Sequence, residues 1–219
     1  MRAVLILTVL SIAEVLSAWT DETLAQVTIT KVPVKVTTQT FDPRRPPRTM
    51  PPLTPPEEAV CASDFLSDAS VGGQAEQIDA THGKLRINQV RVTLQLDITI
   101  WLPKNPPKTT VDHEDGHRQI SEYYYRSAEM VAQRIAERYV GKVIDLSGRD
   151  LRKLASAALK EAGAEITSEY NKQMPVETTQ ARYDSITEHS RRDIRVADAV
   201  ALALKETYPF RPAAPPLPP

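Results

Sequence analysis

Between Val90 and Ile100 apolar and polar residues alternate strictly, and Leu85 and Ile87 extend the apolar series toward the N-terminus of the run. In a strand successive side chains point to opposite faces, so this period predicts a strand with one buried face. The prolines of "PKNPPK" at 103–108 end it. A weaker alternation, rich in Val and Thr, runs through "QVTITKVPVKVTTQT" at 26–40 and predicts a half-buried strand. Pro33 removes a backbone donor there, which makes this strand an edge strand or a broken one. In "FDPRRPPRTMPPLTPPEE", residues 41–58, the prolines recur too densely for helix or central strand. An extended, polyproline-like connector is expected there, as a plain spacer.

Beyond Lys108 the period changes to steps of three and four. His113, His117, Ile120, Tyr124, Ala128, Val131 and Ile135 then fall on one stripe of a helix. Thr109 with Asp112 reads as a capping box, starting that helix two or three residues before His113. A second helix is predicted over 149–173, ended by Pro175, and a loop over 174–186. A third is predicted from about Thr187 to Tyr208 with Ile194, Ala197, Ala201 and Leu204 on one face. The expected class is α+β, a small and mostly antiparallel sheet followed by three helices.

With 219 residues, 41% of them hydrophobic and 25% charged, the chain suits one substantial core rather than several large domains. A net charge of -1 removes the electrostatic case for nucleic acid or anionic membrane as a partner. Arg2, the apolar run Ala3 to Ala13 and the small residues after it read as an export signal, cleaved after Ala18 or Ala25. The apolar run is shorter than the ~20 residues that span a bilayer, so no membrane span is expected in the mature chain. Cys61 is the only cysteine, which excludes an intrachain disulfide; acidic neighbours in "EEAVCASDF" favour an inert thiol. His82, beside Gly83 in "DATHGK", reads as a turn residue.

"VDHEDGHRQISEYYY", residues 111–125, contains His-Glu-x-x-His as His113, Glu114 and His117. On a helix, residues four apart are about 40° apart around the axis and about 6 Å apart along it, so the two imidazoles can converge on one cation. Zinc bound there keeps an open position for water and lowers its pKa, and a glutamate beside the first histidine can take the proton and pass it to a leaving amine. The blander alternative is a pair of surface histidines near a helix start, with Glu114 and Asp115 favoured by the helix dipole. It leaves the histidines' place on the apolar stripe unexplained. A third protein ligand is required. Ile120 and Tyr123 stand where the extended metzincin pattern needs Gly and His. The remaining choices are a glutamate of the second helix, Glu161, Glu165 or Glu169, and His189 in "ARYDSITEHSRRD".

"DHEDGHRQI" followed some seventy residues later by "YDSITEH" resembles a family of bacterial proteins described as secreted zinc-dependent proteases on the strength of their motifs. The likeness covers roughly residues 80–205. It rests on His113, Glu114 and His117 and on Tyr183, Asp184, Thr187 and His189, with Ser190 where that family usually has glycine. It favours His189 as third ligand, and imidazole suits zinc. Tyr183 is then a candidate for stabilising a developing oxyanion, and Asp184 or Asp193 for orienting a ligand imidazole. The resemblance also implies a zincin-like arrangement, with zinc between the first and third helices and the strand before the metal helix along a peptide cleft.

These readings divide the chain into a signal peptide (1–25), a strand with a proline-rich linker (26–57), a zinc-dependent protease-like domain (58–208) and a disordered proline-rich tail (209–219). The expected protein is an exported zinc metallopeptidase, periplasmic or extracellular, acting on peptide or protein substrates with Glu114 as general base. The alternative is a non-catalytic cell-envelope protein with a structural metal site and proline-rich interaction segments. Neither reading specifies substrate, cleavage preference or oligomeric state.

Overall fold

The computed structural model describes residues 26–208. The signal and tail assignments, 1–25 and 209–219, lie outside the described residues. In chain order the elements are β1 Gln26–Lys31, β2 Lys35–Phe41, β3 Val60–Gln77, β4 His82–Pro103, α1 Lys108–Glu137, β5 Val143–Ser147, α2 Leu151–Gln173, α3 Val176–Thr187 and α4 Val196–Thr207. The class is α+β. The sheet is mixed, its long β3–β4 ladder and β5 antiparallel and β1 and β2 parallel, and among the described residues four helices form where three were expected.

β4, the strand with the strict alternation, is the template of the whole sheet. β3 pairs antiparallel along nearly its full length, from Val60↔Trp101 to Gln77↔Gly83. β5 pairs antiparallel with residues 82–86 of β4, while β1 and β2 pair parallel with residues 89–94 and 97–103. Since β3 fills one edge of β4, the three short strands lie end to end along the other. Pro33 sits in the break between β1 and β2, where the edge chain advances four residues, Lys31 to Lys35, against three on β4, Leu94 to Asp97. Proline's missing N–H is tolerated at such an irregular edge. Residues 26–41 therefore belong to the sheet of the main domain and do not stand apart from it.

No strand was anticipated at 60–77, because "VCASDFLSDASVGGQAEQ" is rich in Ser, Asp, Ala and Gly, which carry little intrinsic strand preference. A long, regular partner supplies the ladder that composition does not advertise. The β3–β4 turn is closed by Asp79, whose carboxylate accepts from the backbone N–H groups of Thr81 (2.7 Å) and His82 (2.8 Å) and pairs with the His82 ring. His82 is thus a turn residue.

The inner face of β4, Leu85, Ile87, Val90, Val92, Leu94, Leu96 and Ile98, is buried under α1 and α2. Each such side chain contributes about 1.5–3 kcal/mol when fully buried. α3 and α4 pack on α1 and on each other. The opposite face of β4 exposes Lys84, Arg86, Arg91 and Thr93. The predicted stripe of α1 is the one it buries: His113, Ile120, Tyr124, Ala128, Val131 and Ile135. The expected capping box is absent: Pro107 precedes the helix with no side-chain cap, and Asp112 pairs instead with Lys108. The proline-rich stretch is more than a spacer. It folds over one end of the sheet, where Met50 is buried against Phe41 and Trp101 with Leu53 and Val60 beside them.

The other difference lies between 174 and 195. Pro175 does not merely end α2; it is the N-cap of α3, a position where its fixed φ and missing N–H cost nothing. The chain breaks again over 188–195, and α4 starts at Val196, burying Ala199, Val200, Ala203 and Leu204. Ala197 is exposed and Ala201 only half-buried. "VADAVALALKET" is apolar nearly all round, so its sequence did not determine which side would face inward.

Candidate functional site

α1 and α3 run antiparallel in close contact, and their facing stripes interlock step by step. Thr179 meets Tyr124, Gln180 meets His117 and Ser121, Tyr183 meets Gly116, and Asp184 meets His113 and His117. Gly116 permits this approach, because a Cβ there would lie 2.1 Å from the Tyr183 hydroxyl oxygen. At the open end of this seam the histidines converge. His113 Nε2 and His117 Nε2 are 3.2 Å apart, and Asp184 Oδ1 is 3.2 Å from the first and 2.9 Å from the second. His189 Nδ1 lies 3.7 Å from the same oxygen. His113, Asp184 and His189 offer ligand atoms all within 4.8 Å of one another.

The hydrogen bonds on the far side of each ring determine what these atoms are. Gln180 Nε2 donates to the backbone oxygen of His117 (3.0 Å) and to Ser121 Oγ (2.9 Å), so its Oε1 is the atom facing His117 Nδ1. An acceptor there requires a proton on Nδ1, leaving Nε2 with a bare lone pair. His113 follows the same pattern: Thr187 Oγ1 donates to the Tyr183 backbone oxygen (2.9 Å), so it accepts from His113 Nδ1 at 3.3 Å. Two imidazole lone pairs and a carboxylate oxygen therefore face one another across about 3 Å. Acceptors repel at that range unless something positive lies among them.

A tetrahedral ion with bonds of about 2.0–2.1 Å has ligand atoms about 3.3 Å apart, close to the spacings here. Asp184 Oδ1 and His189 Nδ1 are also buried without a hydrogen-bond partner, as a ligand atom awaiting a cation would be. The donor set, imidazole nitrogens with one carboxylate oxygen, suits zinc. A proton is the other remedy: although burial lowers the His117 pKa, the Asp184 carboxylate outweighs it and raises the ring above its usual value. His113 moves the opposite way, lowered by burial with Asp184 opposing. Burial acts against the Asp184 charge too, but the two imidazoles hold its carboxyl well below the usual range.

Glu114 is 4% exposed and lines the same cleft as Cys61 of β3. Burial, opposed by His117 and reinforced by Asp184 and Glu57, pushes its pKa up to about 7. Glu114, His113, His117, Asp184 and Gln180 line a cleft of about 800 Å³, walled on one side by β3 from Val60 to Leu66 and on the other by Tyr170, Met174 and Val176. The strand along this cleft is β3, an edge strand among the described residues, and not β4, which the sequence had placed there. The Cys61 thiol is pushed up to about 12, first by burial and then by the Glu114 charge, which makes it a poor nucleophile.

His113, Glu114, His117 and His189 are thus brought together. Tyr183 is near them in another sense. It is fully buried, its ring stacked on His113 (centroids 5.1 Å, 20° between planes) and edge-on to His117, with the hydroxyl against Gly116 behind the imidazoles. That position suits packing and not the stabilisation of an oxyanion in the cleft. The glutamates of α2 are elsewhere: Glu165 accepts from the Tyr139 hydroxyl, Glu169 pairs with Arg138 and Glu161 is exposed. Asp193 is exposed as well. Asp184, expected to orient a ligand from behind, instead points its oxygen at the same place as the imidazoles. Gln180 was not anticipated; only its spacing of four from Asp184 hinted that both would share a helix face. Scans of family models, of curated proteins and of solved structures each returned no match to this chain.

Proposed function

We propose that the protein is an exported zinc-dependent metallopeptidase, as the resemblance to secreted zinc-dependent proteases implies, with His113, His117, Asp184 and His189 as the metal's donor set. The observation that carries the reading is the convergence of two bare imidazole nitrogens and a carboxylate oxygen within 3.2 Å at the floor of a cleft that also holds Glu114. A divalent cation bound there supplies Lewis acidity for a peptide carbonyl and lowers the pKa of water. The remaining steps belong to the chain. Glu114, with a carboxyl poised near neutrality, takes a proton from water in the cleft and returns it to the departing amine.

β3 supports a peptide substrate. Among the described residues β3 pairs only with β4, so alternate residues present their N–H and C=O groups at its other edge, and the strand from Val60 to Leu66 lines the cleft. An extended peptide can pair with this edge and lie across Glu114.

A second reading has one specific support. Four protein donors can close a tetrahedron and leave no place for water, which is the form of a structural zinc site. The experiment that separates the two uses purified protein. Zinc content at one equivalent, unchanged in Glu114→Gln and lost in His113→Ala, together with hydrolysis of unstructured peptides by wild type and not by Glu114→Gln, is the expected result. Zinc bound without hydrolysis favours the structural site, and wild type that takes up no zinc removes both readings.

A further inference from the structure

We infer that Gln180 is a positioning residue for the metal site, fixing the tautomer and orientation of His117 and tying that ligand to the cleft strand. The inference rests on the metal-site reading above and adds a residue that no motif contains. Gln180 uses both ends of its amide. Oε1 accepts from His117 Nδ1, while Nε2 donates to the His117 backbone oxygen and to Ser121 Oγ. Flipping the amide would set its oxygen against the His117 carbonyl oxygen, so the network permits one orientation only. Ser121 in turn lies 2.8 Å from Ser63 Oγ on β3 and donates to the His117 backbone oxygen at 3.1 Å.

The Gln180 side chain therefore joins three elements at one point: α3, on which it stands, α1, which carries His117, and β3, which walls the cleft. Asp184 stands one helical turn further along α3, so the residue that orients the ligand and the residue that adds a carboxylate oxygen share one rigid support. Thr187 does the same for His113 with a single, longer bond of 3.3 Å. The Gln180 network is the more complete of the two.

Partners of this kind typically contribute about 10–100-fold to metal affinity. In the full mature chain, zinc affinity is read by competition with a chromophoric chelator, and the His117 ring nitrogens by ¹⁵N shifts in the metal-free protein. Gln180→Leu should bind zinc about 10–100-fold more weakly and lose the uniform Nδ1–H tautomer of His117. Gln180→Glu keeps an acceptor opposite Nδ1 but sets its second oxygen against the His117 carbonyl oxygen, so it should retain the Nδ1–H tautomer and lose less affinity than Gln180→Leu. Wild-type affinity in Gln180→Leu, or an equal loss in both variants, overturns the inference while leaving the metal site standing. If Gln180→Leu does not fold, the His117 tautomer in Gln180→Glu decides alone: a uniform Nδ1–H form supports the role, and a mixed or Nε2–H population ends it. Wild type that binds no zinc removes the site and this role together.

Discussion

Ser190 has φ +67°, the last of three successive residues in the left-handed region after Glu188 at +50° and His189 at +54°. Each such non-glycine residue costs roughly 1–2 kcal/mol, and this run ends α3 and turns the chain so that His189 faces Asp184. Ser190→Gly should stabilise the protein by about 1 kcal/mol in urea unfolding, with zinc affinity unchanged. A loss of stability would mean that the serine hydroxyl matters more than the backbone. Asp79 offers a second test on a single side chain. Backbone N–H bonds from Thr81, then the bonds from His82, hold its carboxyl down to about 2, against 3.8 ordinarily. A depressed folded-state pKa contributes stability that is complete above the ordinary value and is lost as pH falls through the folded one. The difference in unfolding midpoint between wild type and Asp79→Asn should therefore be largest near neutrality and close between about pH 4 and pH 2. A gap that stays constant across that window would assign the effect to something other than the charge.

At the scale of elements, the seam between α1 and α3 decides whether a site exists. Gly116→Ala places a methyl group 2.1 Å from the Tyr183 oxygen, so α3 must move outward and carry Gln180 and Asp184 with it. Overpacking of this kind costs about 1–3 kcal/mol, and zinc affinity should fall in step. Adding Tyr183→Leu removes the hydroxyl and Cζ, which lie 2.1 and 2.4 Å from the new methyl position, and should restore part of both losses, measurable as a coupling in a double-mutant cycle. Additive losses would show that the two residues do not meet in solution. The α1 side of this seam was legible from the chain, but the helix that faces it was not. Residues 174–186 look like a loop because they open on Met174-Pro175 and carry the pair Thr178-Thr179, and only packing against α1 makes a helix of them. β3 was hidden for a related reason: its ladder comes from β4, and its own side chains are small and polar. By contrast β4 and α1, whose periods are long and clean, could be read directly, including which histidines face inward.

For the whole molecule, the proposed zinc site would couple metal binding to folding. An ion that binds only the folded state stabilises it by about 4 kcal/mol at a thousandfold excess over its dissociation constant. Zinc should raise the unfolding temperature of wild type and of Glu114→Gln alike, and not that of His113→Ala, with EDTA reversing the shift. Ligand imidazoles must be unprotonated to bind, so the shift should shrink as pH falls below about 6.5. A shift that His113→Ala leaves intact would place the ion elsewhere. Among the described residues no helix is long and apolar enough to cross a membrane.

The amino-acid sequence by itself determined the parts whose signal is local: the central strand, the long helix, the inward stripe that turns His113 and His117 toward the core, and the turn at His82. Periodicity carries that information because each residue's side follows from its neighbours. What only the tertiary structure decided is which distant groups meet there. Asp184 and Gln180 stand more than sixty residues after the histidines, on a helix that forms through packing, and Gly116 lets that helix come close enough. The placement of β3 along the cleft is of the same kind. Two elements become partners through shape and buried surface, and neither is written in the period of either one.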